Sequence, residues 1–528
     1  MLTFFVIAPV LVAVFLYVTA TNNTARILAI VAHIFQFVAA VYLVYVTRDA
    51  EIVTNIGNYA GGMGVTLRAN SISADFVFIT KFIFLAISIY LYRDKRNLPM
   101  FWFLLFVIEA SIVGIFLSGD LFNIFVLVEV STAVTLVLVM FNRVRRHEFN
   151  GMMFLMTNIV AAQFYLLGIG YVYMLVGTLD VHLAADAIAE VPTQSLVLPY
   201  ALIMTSVAFK CTLIPFFSWS PKVRIYLGAP TVVQAILSGL QIKSAVYLFL
   251  RFQEIFEPVA ATEVFLVLGI VAGLFGAFMA ICQSDIKMIL AYHTVSQVGL
   301  IIVGVSIGNL YSYIGGLYHI FSHAVFKTAL FLCAGIIIHA YNTSDIYKIR
   351  GVMKRMPIVG VATALAVLGI MGAPLFIGSV SKYFIAYDVP FVINIFLILI
   401  SLGTIISFLK FSLMFLGEPP VTSTAFVNEK SKTIPSLLLG VVCVVGGVFG
   451  VPLIYFLFRQ DVTIHAGYFG KSLIFLASVV VGYFINKYVV IGNKTLKRIG
   501  AMNLGFKPIC TAIGAFFAIM LIYVGFFR

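Results

Sequence analysis

Four lysines, a glutamate and two histidines stand inside long apolar stretches of this chain: Lys210, Lys243, Lys327 and Lys382, Glu129, and His319 with His323. A charge at mid-bilayer costs about 2.5–3.5 kcal/mol on insertion scales and more in simulations, so such residues face an internal cavity, find partners and mark ion or proton paths. Amine, carboxylate and imidazole share one chemistry, the binding and release of a proton. Burial disfavours an ionised Glu129, whereas a nearby Lys210 favours it. Opposed influences of that kind let a neighbour's position switch the charge. His319, His323 and Lys327 recur at every fourth residue, which lines them along one helical face with a drift of about 40° per step. Imidazole, with its reference pKa near 6.5, suits a proton station. A metal site at the two histidines is the runner-up, and this stretch lacks a third ligand at metal spacing.

A second pair is Lys81 and Glu109, near the middles of the third and fourth apolar runs. Those runs cross in opposite directions, so both groups reach mid-depth and can neutralise each other. The pair is either structural or a part of proton movement. Lys410, towards the inner end of the thirteenth run, reads as a lysine that snorkels to the interface.

The elements that position these groups are helices with marked interruptions. Pro215 follows Lys210, and Gly372, Pro374 and Gly378 precede Lys382. Proline removes a helix hydrogen bond and clashes with the preceding turn, so breaks are expected at Pro215 and Pro374. A broken helix beside a buried charge exposes backbone to an internal water pocket. Pro221, Lys222 and Arg224 form a polar turn after the first break. Ser238, Gly239 and Ser244 around Lys243 permit close helix approach. The two breaks match in two halves of the chain, each with an odd number of spans, which is the inverted-repeat pattern.

The whole composition fits that reading. The chain has 528 residues, of which 62% are hydrophobic and only 10% charged, with mean hydropathy +1.11. This is an all-α polytopic membrane protein and excludes a soluble enzyme. About 16 apolar runs are long enough to span a bilayer. The expected organisation is three N-terminal spans over 1–98, a first five-helix repeat over 99–252 (spans four to eight), a second over 262–417 (spans nine to thirteen), and three C-terminal spans over 434–528. Spans seven and twelve are the broken ones. The first run lacks a basic leader and a cleavage site, so it reads as a retained span. The Gly-rich stretch from Asn58 into the third run reads as a loop. The last three spans carry no mid-depth charge and read as packing or partner contact.

A net charge of +13 raises the question of nucleic acid. The basic residues gather in alternate loops, with Lys95, Arg96, Arg143, Lys222, Lys354 and Arg355 among them, and this alternation is the positive-inside bias. It excludes nucleic acid as the partner and places both termini outside a cell membrane, with anionic lipid at the basic face. Cys211, Cys282, Cys333, Cys443 and Cys510 have no CxxC or metal spacing and read as apolar packers. No flavin, nicotinamide, haem or iron–sulfur signature occurs, so no cofactor and no redox centre is expected in this chain.

The stretches GDLFNIFVLVE, FKCTLIPFFSWSP, APTVVQAILSGLQIKSAVY, SDIKMILAYHTVSQVGL and LYHIFSHAVFKTALFLCAG resemble the antiporter-like proton-translocating membrane subunits. That family includes the D-type component of Mrp Na+/H+ antiporters, the pumping subunits of respiratory complex I and homologues in membrane-bound hydrogenases. The likeness covers about residues 58–415, and the GDLFN form looks nearer the Mrp and hydrogenase branch. It implies a polar axis through mid-membrane made of Glu129, Lys210, Lys243, His319, His323, Lys327 and Lys382. Departures are Ala373-Pro374 where the family has Pro-Pro, Asn70 where an aspartate is usual, and the presence of Glu109.

Two functions follow from the resemblance. The first is a proton-translocating subunit of a multisubunit cation/proton antiporter, exchanging H+ for Na+ beside other membrane subunits. The second is a pumping subunit of a redox complex driven by electron flow elsewhere. In either case the chain reads as a transporter subunit and not as an enzyme in itself. A membrane-embedded hydrolase or transferase would need a nucleophile–base set or a metal constellation, and the sequence offers neither.

Overall fold

Hydrocarbon cannot satisfy backbone N–H and C=O groups, so an apolar chain of this length must close its hydrogen bonds within helices. The computed structural model describes residues 1–19, 22–58, 64–93, 99–141, 145–216, 229–420, 429–501 and 506–528, with backbone alone at 22–23 and 145–150. Fourteen helices among the described residues are long and apolar enough to cross a membrane. Two further apolar runs form the helices Thr193–Lys210 and Pro357–Met371. The described part divides into two compact units, Met1–Pro230 with Leu240–Thr262 and Leu504–Arg528, and Thr231–Gly239 with Glu263–Asn503.

The first unit opens with α1 (Leu2–Thr19), α2 (Asn22–Val46), α3 (Ser71–Leu91) and α4 (Pro99–Leu117). Helix α1 packs on α4, and α2 on α3. An antiparallel hairpin joins β1 (Ile52–Asn55) and β2 (Thr66–Ala69), paired Ile52 to Ala69, and β2 falls in the stretch from Asn58 expected to be loop. Three consecutive β-branched residues, Ile52, Val53 and Thr54, favour a strand here and explain this local departure from an all-helical chain. The strand β2 leads directly into α3, whose N-cap is Asn70: its side chain accepts from the Ser73 N–H, and the Ser73 hydroxyl accepts from the Asn70 N–H. An asparagine serves that cap as well as an aspartate does.

Next come α5 (Leu121–Met140), α6 (Arg145–Val176), α7 (Val181–Ile188) and α8 (Thr193–Lys210). Asp120 caps α5 and Asp180 caps α7, and the two residues pair through a β-bridge. Thr66 Oγ1 donates to Asp180 Oδ2 at 2.9 Å, and Arg68 lies 3.7 Å from the same carboxylate, so the hairpin is tied to this cap pair. Helix α9 (Thr231–Ile255) holds a π-turn at Leu237–Gln241. The last helix of the chain, α19 (Phe506–Phe527), packs on α8 and α6.

The second unit contains the start of α9, then α10 (Thr262–Cys282), α11 (Ile286–Ser306), α12 (Leu310–Tyr341), α13 (Pro357–Met371), α14 (Ile377–Ile385), α15 (Phe391–Phe411), α16 (Lys430–Val448), α17 (Gly450–Phe458) and α18 (Gly467–Ile485). Helix α12 is its centre, packed by α11, α13, α14 and α16. Asp285 caps α11, takes a hydrogen bond from Ser344 Oγ and forms a β-bridge with Asp345.

Both proline signals fall in irregular backbone. Helix α8 stops at Lys210 itself, and Pro215 lies in the turn-rich segment that follows. Helix α13 stops at Met371, Gly372 takes the left-handed conformation (φ 82°), Pro374 follows, and α14 restarts at Ile377. A side chain is strained at such a φ, which explains a glycine there. Pro221, Lys222 and Arg224 lie outside the described residues, as do Lys95, Arg96 and Arg143.

Candidate functional site

In the first unit, Lys210 is the last residue of α8, and Glu129 projects from α5 to meet it. Nζ and Oε1 are 3.6 Å apart. The lysine side chain is 12% exposed and the glutamate 28%. Lys210 also donates to Thr132 Oγ1 at 3.2 Å. One turn on, Thr135 Oγ1 donates to Gln241 Oε1 at 3.2 Å. Gln241 ends the π-turn of α9, just ahead of buried Lys243. Glu129, Thr132 and Thr135 therefore form one polar stripe along α5 that runs from Lys210 towards the helix of Lys243. The hydroxyls and the amide were not picked out from the sequence, although the three-residue spacing of Thr132 and Thr135 after Glu129 was an available signal for the hydroxyls.

The same unit holds a denser cluster in α2, α3 and α4. Lys81 Nζ lies 2.8 Å from Glu109 Oε1 and donates to Gln36 Oε1 at 2.6 Å. His33 Nε2 is 3.1 Å from Glu109 Oε2. His33 Nδ1 lies 2.7 Å from the Ala29 carbonyl oxygen and 2.9 Å from Ser88 Oγ. Lys81 and Glu109 are fully buried, and His33 is nearly so. Glu109 thus neutralises Lys81 and touches a second titratable ring. His33 and Gln36 escaped the sequence reading, because neither carries a fixed charge and their partners Glu109 and Lys81 lie on other helices. Asp75, also buried on α3, has no hydrogen-bond partner among the described residues.

In the second unit, His319, His323 and Lys327 are all fully buried on α12. His319 Nδ1 is 2.8 Å from Ser381 Oγ, and its Nε2 is 3.0 Å from Gln297 Oε1. Ser381 precedes Lys382, whose Nζ donates to the carbonyls of Ile370 at 2.9 Å and Met371 at 3.1 Å. Those carbonyls are freed where α13 stops, so the helix break supplies the oxygens that hold the lysine. At the other end of the stripe, Lys327 Nζ donates to the Leu290 carbonyl at 2.5 Å. Thr294 Oγ1 bonds the same carbonyl at 3.1 Å and lies 2.7 Å from Ser238 Oγ. Gln297, Thr294 and Ser381 were unmarked in the sequence, since hydroxyls and amides are common in helices, and Ser238 was marked only as a small residue that permits close helix approach.

Lys410 corrects an expectation. It does not snorkel: it is buried and donates to the carbonyls of Ala280 at 3.2 Å, Ile281 at 2.5 Å and Gln283 at 2.5 Å. It caps the C-terminus of α10, where a cation also complements the helix dipole. The fifteenth span is likewise more than apolar packing, since Tyr468 and Lys471 of α18 line a cavity that reaches Lys382. Among the described residues no group of three His, Cys, Asp or Glu is placed to hold a metal ion.

Comparison with known proteins gives this geometry a family. Residues 118–407 match the family described as NADH:quinone oxidoreductase/Mrp antiporter, TM. The D-type component of the Na(+)/H(+) antiporter of Alkalihalophilus pseudofirmus is 28% identical over 72% of this chain and 78% of its own. The N-type component of the NADH-quinone oxidoreductase of Desulforudis audaxviator is 32% identical over 56% of this chain and 59% of its own. A chain of the Mrp complex from Dietzia sp. DQ12-45-1b superposes with TM-score 0.80 at 23% identity, covering 90% of this chain and 99% of that one, which establishes the shared fold. The matched segment contains Glu129, Lys210, Lys243, the α12 stripe and Lys382, and the chain belongs to the NADH:quinone oxidoreductase/Mrp antiporter transmembrane family.

Proposed function

We propose that this chain is the proton-translocating membrane subunit of a multisubunit cation/proton antiporter, set in the cell membrane with both termini outside and exchanging H+ for Na+ with other membrane subunits. The observation that carries the reading is the Glu129–Lys210 pair, 3.6 Å apart at the point where α8 stops. At that separation a modest rotation of either side chain opens or closes the contact. Closed, the carboxylate favours the charged ammonium of Lys210; open, that support is lost and a proton is passed towards Lys243. The α12 histidines and Lys327 then relay charge to Lys382. Glu129, still 28% exposed, faces a neighbouring subunit and transmits the state of the pair. At Lys382 the helix break supplies free carbonyls, and a break beside a buried charge is where water finds room in a membrane protein.

Two five-helix repeats of opposite orientation underlie this arrangement. Asp120 pairs with Asp180, and Asp285 with Asp345, by the same β-bridge at the same sequence separation. Each first aspartate caps a helix of its half.

The test is transport by the whole complex in everted vesicles. Glu129→Gln and Lys210→Met each lower exchange at least about tenfold, a barrier change of ~1.4 kcal/mol, while the complex still assembles. Full activity in either variant overturns the reading. The relative that is part of a NADH-quinone oxidoreductase favours a second reading, a pumping subunit of a redox complex. Co-purifying iron–sulfur subunits would select it, whereas small membrane subunits alone select the antiporter.

A further inference from the structure

A cavity of about 90 Å³ lies in the second unit, beside the gap between α13 and α14. That is room for several waters. Lys382 forms part of its wall, together with Ser379, Asn394, Tyr468 and Lys471. Asn394 and Lys471 sit within the first two turns of α15 and α18, so the cavity runs from the helix break towards the end of the unit where those two helices begin.

The residues at that end are organised. Lys471 Nζ donates to Asn394 Oδ1 at 2.9 Å. Tyr468 Oη accepts from the Leu375 N–H at 3.2 Å, within the break, and lies 2.7 Å from Ser379 Oγ. Ser379 gives its own hydrogen to the Phe376 carbonyl at 2.8 Å, so Tyr468 donates in that contact. A tyrosine of α18 is therefore fastened to the broken segment that carries Lys382. Both ammonium groups are held by neutral oxygens: backbone carbonyls for Lys382, an amide for Lys471.

We propose that this cavity is the outlet through which Lys382 exchanges its proton with water, and that Lys471 and Tyr468 are the positioning residues at its mouth. The inference rests on the proposed proton function and deepens it. In release, one Nζ–H bond of Lys382 breaks, the electron pair stays on nitrogen, and the proton passes to a cavity water and along the water file to the surface. Lys471 adds a fixed positive charge at the mouth. It opposes entry of a hydrated metal cation, as cationic side chains do at other pores. Tyr468 holds the break open by occupying the Leu375 N–H and the Ser379 hydroxyl. In the proposed topology the mouth faces outside.

The experiment uses the intact complex in cells. Ser472 lines the cavity beside Lys471, and Ser472→Cys is exposed to two membrane-impermeant methanethiosulfonates, one anionic and one cationic, with the unsubstituted chain as the blank. The outlet predicts modification from outside, about tenfold faster for the anionic reagent. Lys471→Gln added to the cysteine variant removes the preference, and Lys471→Arg keeps it. In transport, Lys471→Gln lowers the rate several-fold, whereas Lys471→Arg restores it. Absence of modification, modification in everted vesicles only, or equal rates for the two reagents overturns the outlet. So does a normal rate in Lys471→Gln while Lys210→Met is inactive, a result that leaves the proton function standing. Full transport in Lys210→Met is the separate result that removes the function reading itself.

Discussion

His33 Nε2 lies 3.1 Å from Glu109 Oε2, the carboxylate oxygen that Lys81 leaves free. The glutamate therefore serves two nitrogen partners from two different helices, one through each oxygen. Three helices are locked by it, with Gln36 and Ser88 completing the shell.

Removing one partner from such a cluster leaves a buried charge uncompensated, which costs about 3–5 kcal/mol. Glu109→Gln and Lys81→Met should each lower the thermal midpoint and yield of the purified complex sharply. The double variant should recover most of the loss, because replacing both charges is close to neutral. A double variant no better than the singles would show that the pair is not the stabilising unit.

At Lys410 the prediction concerns stability and not transport. Lys410→Met removes the donor to the Ala280, Ile281 and Gln283 carbonyls. Leaving buried acceptors unsatisfied costs about 1–3 kcal/mol. The midpoint should fall accordingly, with partial recovery in Lys410→Arg. A snorkelling lysine would have tolerated methionine, so an unchanged midpoint would contradict the capping role.

Helices α10 and α11 approach through glycines. A Cβ on Gly299 would lie 2.6 Å from the Gly269 carbonyl oxygen, and one on Gly276 would lie 2.5 Å from the Ser296 nitrogen. Backbone contact of this kind is how helices gain packing in lipid. Gly276→Val and Gly299→Val are expected to force the pair apart at about 1–3 kcal/mol or more. Assembly measured by native electrophoresis should drop, while Gly170→Ala, with nothing within 4 Å, should leave it unchanged.

Gln297 gives His319 a partner in either protonation state. Ser381 Oγ donates to the Ile377 and Gly378 carbonyls and so accepts from Nδ1–H of His319. The amide of Gln297 then accepts from a charged ring through Oε1, or turns over and donates to a neutral one. Gln297→Leu removes this adaptability. Transport by the assembled complex should slow about tenfold, ~1.4 kcal/mol in the barrier, with Gln297→Asn intermediate. An unimpaired Gln297→Leu rate would exclude the amide from the relay.

The sequence by itself determined which segments lie among apolar neighbours and which charges lie within them. Hydropathy suffices for that, because hydrocarbon forces every backbone group into a helix and makes each buried charge conspicuous. Lys210, Lys382 and the α12 stripe were legible for this reason, and so were the interruptions at Pro215 and Pro374. Tertiary structure alone decided which groups meet. His33 reaches Glu109 across 76 residues, and Lys410 reaches α10 across about 130. Such contacts depend on how each helix is rotated and where it crosses its neighbour, and side-chain packing sets both. Uncharged partners such as Gln36, Gln297, Ser381 and Tyr468 stayed invisible because a hydroxyl or amide in a helix acquires meaning only from the residue packed against it.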